Sequence, residues 1–264
     1  MKICRFTDQH NLTPRYGVID EHENNLRAIT GDDLFTSDLL LEEKTLPLSH
    51  VRLLAPVAPS KIVCVGRNYK EHAAELGNPL PPEPLLFLKP PSSIIADGEA
   101  IELPAQSNQV EHEGELGVVI GRRARRLSAE TNPLDYVFGY TIINDVTARD
   151  LQRQDVQFTR AKSFDTFCPT GPFIVTSIDA SDVQITTRVN DAIKQQARTS
   201  SMIFQVPELV RYISFVMTLL PGDLIATGTP AGVSKLSVGD RVEIEIESLG
   251  VLRNTVRSGG VTSQ

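Results

Sequence analysis

The residues best suited to chemistry lie in one short run, Glu111-His112-Glu113-Gly114-Glu115-Leu116-Gly117-Val118-Val119-Ile120. Read as a β-strand, it puts Glu111, Glu113 and Glu115 on one face and Leu116, Val118 and Ile120 on the other. Carboxylates two apart on a strand stand about 6–7 Å from each other, within reach of one hard cation. The run therefore reads as half of a metal site, with a solvated acidic edge as the competing reading. A second pair, His72 and Glu75, falls within Arg67–Gly77, a stretch that reads as a short helix closed by a glycine. On one helix face the carboxylate can hold the imidazole's tautomer and raise its basicity, as a general base requires. A surface ion pair would show the same spacing. Lys89 closes the apolar run Leu85–Lys89, which reads as a buried strand, and a cation there can meet an anionic ligand or merely snorkel. Asp145 ends the strand-like Tyr136–Asp145, either as a working carboxylate or as a helix cap. Lys162 precedes small polar residues in a stretch, 160–172, that reads mostly as loop. Desolvated beside a metal it could donate to a developing oxyanion; otherwise it is a surface lysine.

The rest of the chain must position these groups. Residues 1 to about 55 suggest a few strands and a short helix, with Tyr16–Ile19, Ser37–Leu41 and Val51–Leu54 as the apolar runs. They end at the proline-punctuated join Ala55–Ser60 and read as a small N-terminal domain that serves packing or dimer support. Lys61–Gly66 is a short apolar run ending at glycine. After the helix, Asn78–Pro84 is an extended, semi-rigid loop, so helix and loop together make a plausible lid. The basic turn Gly121–Arg126 reads as solvated surface. Thr147 is a candidate N-cap for a turn of helix over 147–152. Strands are expected near 173–178, 184–190 and 193–198. The clearest helix is 207–220, with apolar residues at 209, 210, 213, 216, 217 and 220 facing a core. Asp223–Val233 runs as a strand into a glycine-rich turn that lacks the lysine and following helix of a phosphate loop, and Arg241–Glu247 alternates as a strand. The expected class is α+β, mainly β, with a small N-terminal α+β domain over 1–57 and a catalytic domain over 58–264.

Composition limits the partners. The chain has 264 residues, 41% hydrophobic and 22% charged, which suits a globular protein with a real core. A net charge of −7 gives no footprint for nucleic acid or an anionic membrane. Cys4, Cys64 and Cys168 are odd in number and widely spaced, which argues against a disulfide framework or a zinc ribbon and fits a reducing cytoplasm. No signal-peptide core and no membrane-length apolar run is present, so a soluble cytoplasmic protein is expected.

With these segments in view, the sequence resembles the fumarylacetoacetate hydrolase family from about residue 61 to 250. Seven segments in order carry the likeness: Gly66-Arg67-Asn68-Tyr69 with His72, Phe87-Leu88-Lys89-Pro90, His112–Gly117, Asn144–Asp150, Ala161–Asp165, Ser201–Phe204 and Thr227-Gly228-Thr229-Pro230. The resemblance implies a mixed, mainly β roll behind a small N-terminal domain, usually a homodimer, with Mg²⁺ or Mn²⁺ in the site. It makes Glu113, Glu115 and Asp145 the metal ligands and leaves Glu111 as a neighbour. Three carboxylates with open positions favour a hard, octahedral cation, Mg²⁺ first. It makes His72 the base, Glu75 its orienting carboxylate on a mobile lid, and Lys162 the lysine beside the metal. Arg67, Lys89, Gln152 and Thr229 match substrate-contacting positions. The loop Asn78–Pro84, which should meet the far end of a substrate, carries no transferable motif.

The expected activity is divalent-metal-dependent hydrolysis of a C–C bond in an acylpyruvate-like 2,4-dioxo acid through a metal-bound enolate. His72 would activate the water and Lys162 would support the oxyanion. The alternatives share that enolate: isomerisation or decarboxylation of 5-carboxymethyl-2-hydroxymuconate in aromatic catabolism, or decarboxylation or tautomerisation of oxaloacetate. A metal-stabilised binding protein without catalysis is the competing class. The substrate is in each case a small 2-oxo acid or dicarboxylate.

Overall fold

The computed structural model of the chain describes residues 1–31, 34, 35 and 39–260. It opens with β1 (Lys2–Asp8), β2 (Arg15–Asp20), β3 (Asn25–Ile29), β4 (Leu41–Pro47) and β5 (Val51–Leu54). Of the expected run Ser37–Leu41, Ser37 and Asp38 lie outside the described residues; Leu41 begins β4. The only helical structure among the described residues before β6 (Ile62–Gly66) is a single 3-10 turn, Leu48–His50. β6 leads through α1 (Lys70–Glu75) to β7 (Leu85–Lys89). Short strands β8 (Ile94–Ile95), β9 (Ala100–Leu103) and β10 (Val110–Glu111) precede the long pair β11 (Gly114–Ile120) and β12 (Val137–Asn144). Then come β13 (Thr147–Ala148), α2 (Arg149–Gln154), α3 (Thr159–Lys162), β14 (Cys168–Val175), β15 (Gln184–Val189), β16 (Ala192–Arg198) and α4 (Val206–Val216). β17 (Leu224–Ala226), β18 (Arg241–Ile246) and β19 (Gly250–Ser258) complete the chain.

Two sheets carry this order. The larger runs β4-β3-β2-β1-β14-β12-β11-β17-β6-β7, and the smaller runs β16-β15-β18-β19-β9. Because β1 pairs antiparallel with β14, the N-terminal strands extend the larger sheet and share its hydrogen-bond ladder. Leu116, Val118 and Ile120 of β11 pack with Ile185, Ile244 and Leu252 of the smaller sheet in the main core, while Val119 joins a second cluster with Ile62 and Leu224 on the opposite face. Strand alternation thus serves two cores at once. At Gly114 the two sheets approach closely, since a Cβ there would lie 2.2 Å from Thr187 Oγ1. No helix among the described residues is long and apolar enough to cross a membrane.

Several elements differ from the sequence-based expectation. The acidic run is not one strand: β10 ends at Glu111 and β11 begins at Gly114. At the break the Glu113 N–H turns to Asn144 Oδ1 (2.9 Å), and the Asp145 N–H donates to the Glu113 carbonyl (2.9 Å). Nor is one face open, because every residue of β11 is buried. β7 is mostly half-exposed rather than buried; it lies at the sheet edge with β6 alone beside it, and only Lys89 turns fully inward. Thr147 does not cap α2, since its hydroxyl donates to the Asp145 carbonyl (2.9 Å) and Ala148 holds the cap position. Nor does the Asp145 carboxylate cap a helix; it accepts from two lysines. Lys162 ends a helical turn, α3, where loop was expected. α4 stops at Val216 because Met217 is extended and Leu219 is drawn into a bridge with Ala124. That leaves Phe215 and Val216 exposed rather than in the core.

Candidate active site

The broken strand and the end of β12 bring three carboxylates together. One oxygen each from Glu113, Glu115 and Asp145 lies within 4.8 Å of the others, and all three residues are buried. Strand pairing accounts for this, since β11 and β12 are antiparallel with Gly114 opposite Asn144, placing Glu113 and Glu115 beside the residue that follows. Cations surround the cluster. Lys162 Nζ bridges Glu113 Oε2 and Asp145 Oδ2, at 2.7 Å each. Lys89 Nζ donates to Asp145 Oδ1 (2.6 Å) and to the Val146 carbonyl (3.1 Å). Arg149 holds Glu111 Oε2 through Nε (2.8 Å) and Glu113 Oε1 through Nη2.

These neighbours split the acidities. Burial alone would push the Glu113 carboxyl up, but Lys162 and Arg149 hold it well below the usual range. Glu115 goes the other way: burial and the Asp145 and Glu113 charges push it well above that range, although the Gly228 N–H donates to its Oε2 at 2.7 Å. A carboxylate raised by its own kind, in a set of three buried oxygen donors, is what a hard divalent cation relieves. The residues present therefore fit Mg²⁺ or Mn²⁺, which Glu113, Glu115 and Asp145 would hold.

The cluster opens into a cavity of about 240 Å³ whose wall includes Arg67, His72, Lys162, Gln152 and Thr229. His72 comes from α1. Its Nδ1 lies 3.0 Å from Glu75 Oε2, while the second oxygen of Glu75 accepts the Gly232 N–H at 3.0 Å. Glu75 stands behind the wall and is anchored on both oxygens. Lys89 also stands behind it, spent on Asp145, so the structure places it against the cluster rather than in the cavity. Gln152 accepts from Arg149 Nη1 (2.6 Å). Thr229 donates to the Gly114 carbonyl (2.9 Å) and accepts from Gln195 Nε2 (2.7 Å), so its hydroxyl is engaged within the protein. Lys162 Nζ also lies 5.0 Å from the centre of the Phe87 ring, which packs edge-on against Phe158.

Some structural partners escaped the sequence reading. Arg149 lies within Asn144–Asp150, where local pattern assigns it no role. Gln195 is a lone buried amide on the otherwise largely exposed β16, and it ties together His112 Nδ1 (3.1 Å), the Gly114 N–H (3.0 Å), Thr229 and the Pro230 carbonyl (2.7 Å). His112 also meets Ser234 Oγ (2.9 Å), and burial pushes its imidazole down to about 4, so it is neutral. Asn68 pins the backbone beside Arg67 by accepting the Phe204 N–H (2.8 Å) and donating to the Phe204 and Thr227 carbonyls. These links join residues far apart in the chain, and no local spacing announces them.

Known proteins resemble this chain in both sequence and fold. Residues 61–257 match the family described as fumarylacetoacetate (FAA) hydrolase C-terminal, and residues 1–56 match an N-terminal family described as Rv2993c-like. The chain belongs to the fumarylacetoacetate hydrolase family. Among its relatives, the oxaloacetate tautomerase YisK of Bacillus subtilis is 44% identical over 79% of this chain and 74% of its own. A crystal structure of a 2-hydroxyhepta-2,4-diene-1,7-dioate isomerase from Mycobacterium marinum covers 99% of this chain and 100% of its own at 44% identity, with a TM-score of 0.88. Maleylpyruvate hydrolase from Sphingobium, solved with manganese(II) and pyruvate, is 32% identical over 98% of this chain and 100% of its own, with a TM-score of 0.81. Proteins named as hydrolase, isomerase and tautomerase are thus all among those this chain is similar to.

Proposed function

We propose that this protein is a divalent-metal-dependent enzyme that hydrolyses the C–C bond between C3 and C4 of an acylpyruvate-like 2,4-dioxo acid. The observation that carries this reading is the juxtaposition, on one cavity, of a three-carboxylate cluster with an imidazole oriented by its own carboxylate. Mg²⁺ or Mn²⁺ held by Glu113, Glu115 and Asp145 would supply Lewis acidity at the carboxylate and 2-oxo end of the substrate.

The chain's own groups would do the rest. His72, its Nδ1 held by Glu75, takes a proton from water at its other ring nitrogen. The hydroxide adds to the C4 carbonyl, and the Lys162 ammonium stabilises the negative charge that develops. The C3–C4 bond then breaks with its electron pair moving into the 2-oxo acid fragment. That fragment takes up a proton at C3, and the products are a carboxylic acid and pyruvate. Arg67, Gln152 and Thr229 would bound the substrate, while Lys89 would act from behind by fixing Asp145. Phe87 and Phe158 keep part of the wall apolar and so limit stray water.

A second reading is favoured by the similarity to the Bacillus subtilis oxaloacetate tautomerase. The same dyad, taking a proton from C3 rather than from water, would interconvert keto and enol forms of a 2-oxo diacid. Steady-state turnover with Mg²⁺ and then with EDTA separates them, with acetylpyruvate, fumarylpyruvate, oxaloacetate and 5-carboxymethyl-2-hydroxymuconate offered side by side. Metal-dependent pyruvate release from an acylpyruvate supports hydrolysis. Turnover confined to oxaloacetate or the muconate rejects it in favour of tautomerase or isomerase chemistry.

A further inference from the structure

β16 lies at the edge of the smaller sheet, and Gln195 is its one buried residue. A side-chain amide has two N–H donors and an oxygen with two acceptor positions, and burial makes each unmet one costly. In Gln195 all four are met. Its Oε1 accepts from the Gly114 N–H (3.0 Å) and lies 3.1 Å from His112 Nδ1, while its Nε2 donates to Thr229 Oγ1 and to the Pro230 carbonyl, at 2.7 Å each. The Gly114 N–H can only donate and the Pro230 carbonyl can only accept, so the amide has one orientation. It follows that His112 carries its proton on Nδ1 and that its Nε2 accepts from the Ser234 hydroxyl (2.9 Å).

Two arms leave this amide and end at different parts of the site. The first closes a ring: the Gly114 N–H donates to Gln195 Oε1, Gln195 Nε2 donates to Thr229 Oγ1, and the Thr229 hydroxyl donates back to the Gly114 carbonyl (2.9 Å). Gly114 separates Glu113 from Glu115, so the ring fixes the backbone from which both carboxylates project. The second arm runs from Pro230 to Gly232. Gly232 rests on the main chain of β16, where a Cβ would lie 1.9 Å from the Lys194 carbonyl oxygen and 3.3 Å from Gln195 Cα, and its N–H donates to Glu75 Oε1 (3.0 Å). The other oxygen of Glu75 meets His72 Nδ1 (3.0 Å). Gln195 itself stands behind the cavity wall.

The dyad and the carboxylates come from separate elements, α1 on one side and β11 with the end of β12 on the other. A base serves a reaction only from a fixed place, and a misplacement of about 1 Å can lower a rate about 100-fold. One buried side chain reaches the supports of both elements. Resting on the reading of His72 and Glu75 as the base pair and of Glu113, Glu115 and Asp145 as metal ligands, we propose that Gln195 is a positioning residue for the reaction. It sets the dyad in register with the cluster, through Thr229–Gly232 on one arm and Gly114 on the other.

Two variants of the full chain test this. Gln195→Met keeps the length of the side chain and none of its hydrogen bonds, so both arms are lost. Gln195→Glu keeps the acceptor toward Gly114 and His112 but has no donor for Thr229 and Pro230, so only the arm to the dyad is lost. The NMR spectrum of the imidazole groups reads the linkage without turnover. Among the five histidines, the signal of His72, identified by its absence from His72→Ala, should move in both variants together with that of His112, while those of His10, His22 and His50 stay. With Mg²⁺ and whichever compound of the panel above is turned over, kcat should fall about 10- to 100-fold in both variants and KM should stay within about threefold. Calorimetric Mg²⁺ affinity should fall about 10-fold in Gln195→Met and hold in Gln195→Glu. A residue that served the fold alone would lower Tm and move the His112 signal, leaving His72 and kcat as they are. An unmoved His72 signal therefore overturns the proposal, as does a kcat within about twofold of the unaltered enzyme in both variants. Mg²⁺ affinities that change equally, or not at all, in the two variants overturn it as well. If Gln195→Met fails to fold, the His72 signal and kcat of Gln195→Glu decide alone; if neither folds, Gln195 serves the fold and the proposal is rejected. If the unaltered protein turns over no compound of the panel, the functional reading fails, and the His72 signal still decides whether Gln195 holds the dyad.

Discussion

Glu75 Oε1 accepts the backbone N–H of Gly232 at 3.0 Å, across 157 residues of chain. Because Glu75 Oε2 lies 3.0 Å from His72 Nδ1, this contact seats the dyad against the loop that follows Thr229. Gly232 can make it only as glycine. Its φ is 104°, and a Cβ there would stand 1.9 Å from the Lys194 carbonyl oxygen. Gly232→Ala should therefore cost about 1–3 kcal/mol in backbone strain alone and displace the loop. Thermal denaturation should show a lower Tm, and turnover should show a fall in kcat with little change in metal affinity. An unchanged kcat would separate the loop from the chemistry.

The base and the metal ligands should come apart under mutation. His72→Ala leaves the three carboxylates intact, so Mg²⁺ affinity should hold while turnover drops about 10²- to 10⁴-fold. Asp145→Ala should lose the metal. In a thermal titration, the unaltered protein should gain about 2.7 kcal/mol of stability at a Mg²⁺ concentration of 100 Kd, and the Asp145 variant none of it. Full activity in His72→Ala would remove the histidine from the mechanism.

Glu111 should affect the metal without touching it. It holds Arg149 Nε, and Arg149 in turn holds Glu113 Oε1, so the guanidinium fixes the orientation of one proposed ligand. Glu111→Gln keeps the shape but frees the arginine's charge beside the cluster. Metal affinity measured by calorimetry should fall about 10- to 100-fold, as for other outer partners of metal ligands. Retention of full affinity would show that Arg149 needs no second anchor.

The thiols provide a pH test. Burial pushes Cys4 up to about 12 and Cys168 up to about 11, and Cys64 also rises well above its ordinary value. A group raised in the fold contributes stability below its unfolded pKa and loses it as pH climbs through the folded value. Unfolding free energy should thus be steady up to about pH 9 and then decline, by at most about 1.4 kcal/mol per pH unit for each thiol. Denaturant titrations at pH 8, 9 and 10 would show the trend. At pH 8 a thiol reagent should label none of the three in the native state and all of them after unfolding.

Much of this protein could be read from local pattern. The class, the helix closed by Gly77, the hairpin 184–198 and the chemically able residues all follow from side-chain periodicity and type, which act over a few residues. The His72–Glu75 contact is likewise a property of a single helical turn. Other features depended on long-range packing. Glu111–Ile120 reads as one strand because alternation cannot register that Asn144 and Gln195 compete for its backbone at the break. Lys89 looks like a ligand contact from the end of a strand, yet the fold spends it on Asp145, 56 residues away. Val216, Met217 and Leu220 keep a helical period, but the bridge between Ala124 and Leu219 ends the helix before that period runs out. The sequence by itself determined which groups were available. Only the tertiary structure decided which of them neutralise one another, Lys89 and Lys162 with Asp145 and Arg149 with Glu113, because charge pairing depends on distance in space rather than on position in the chain.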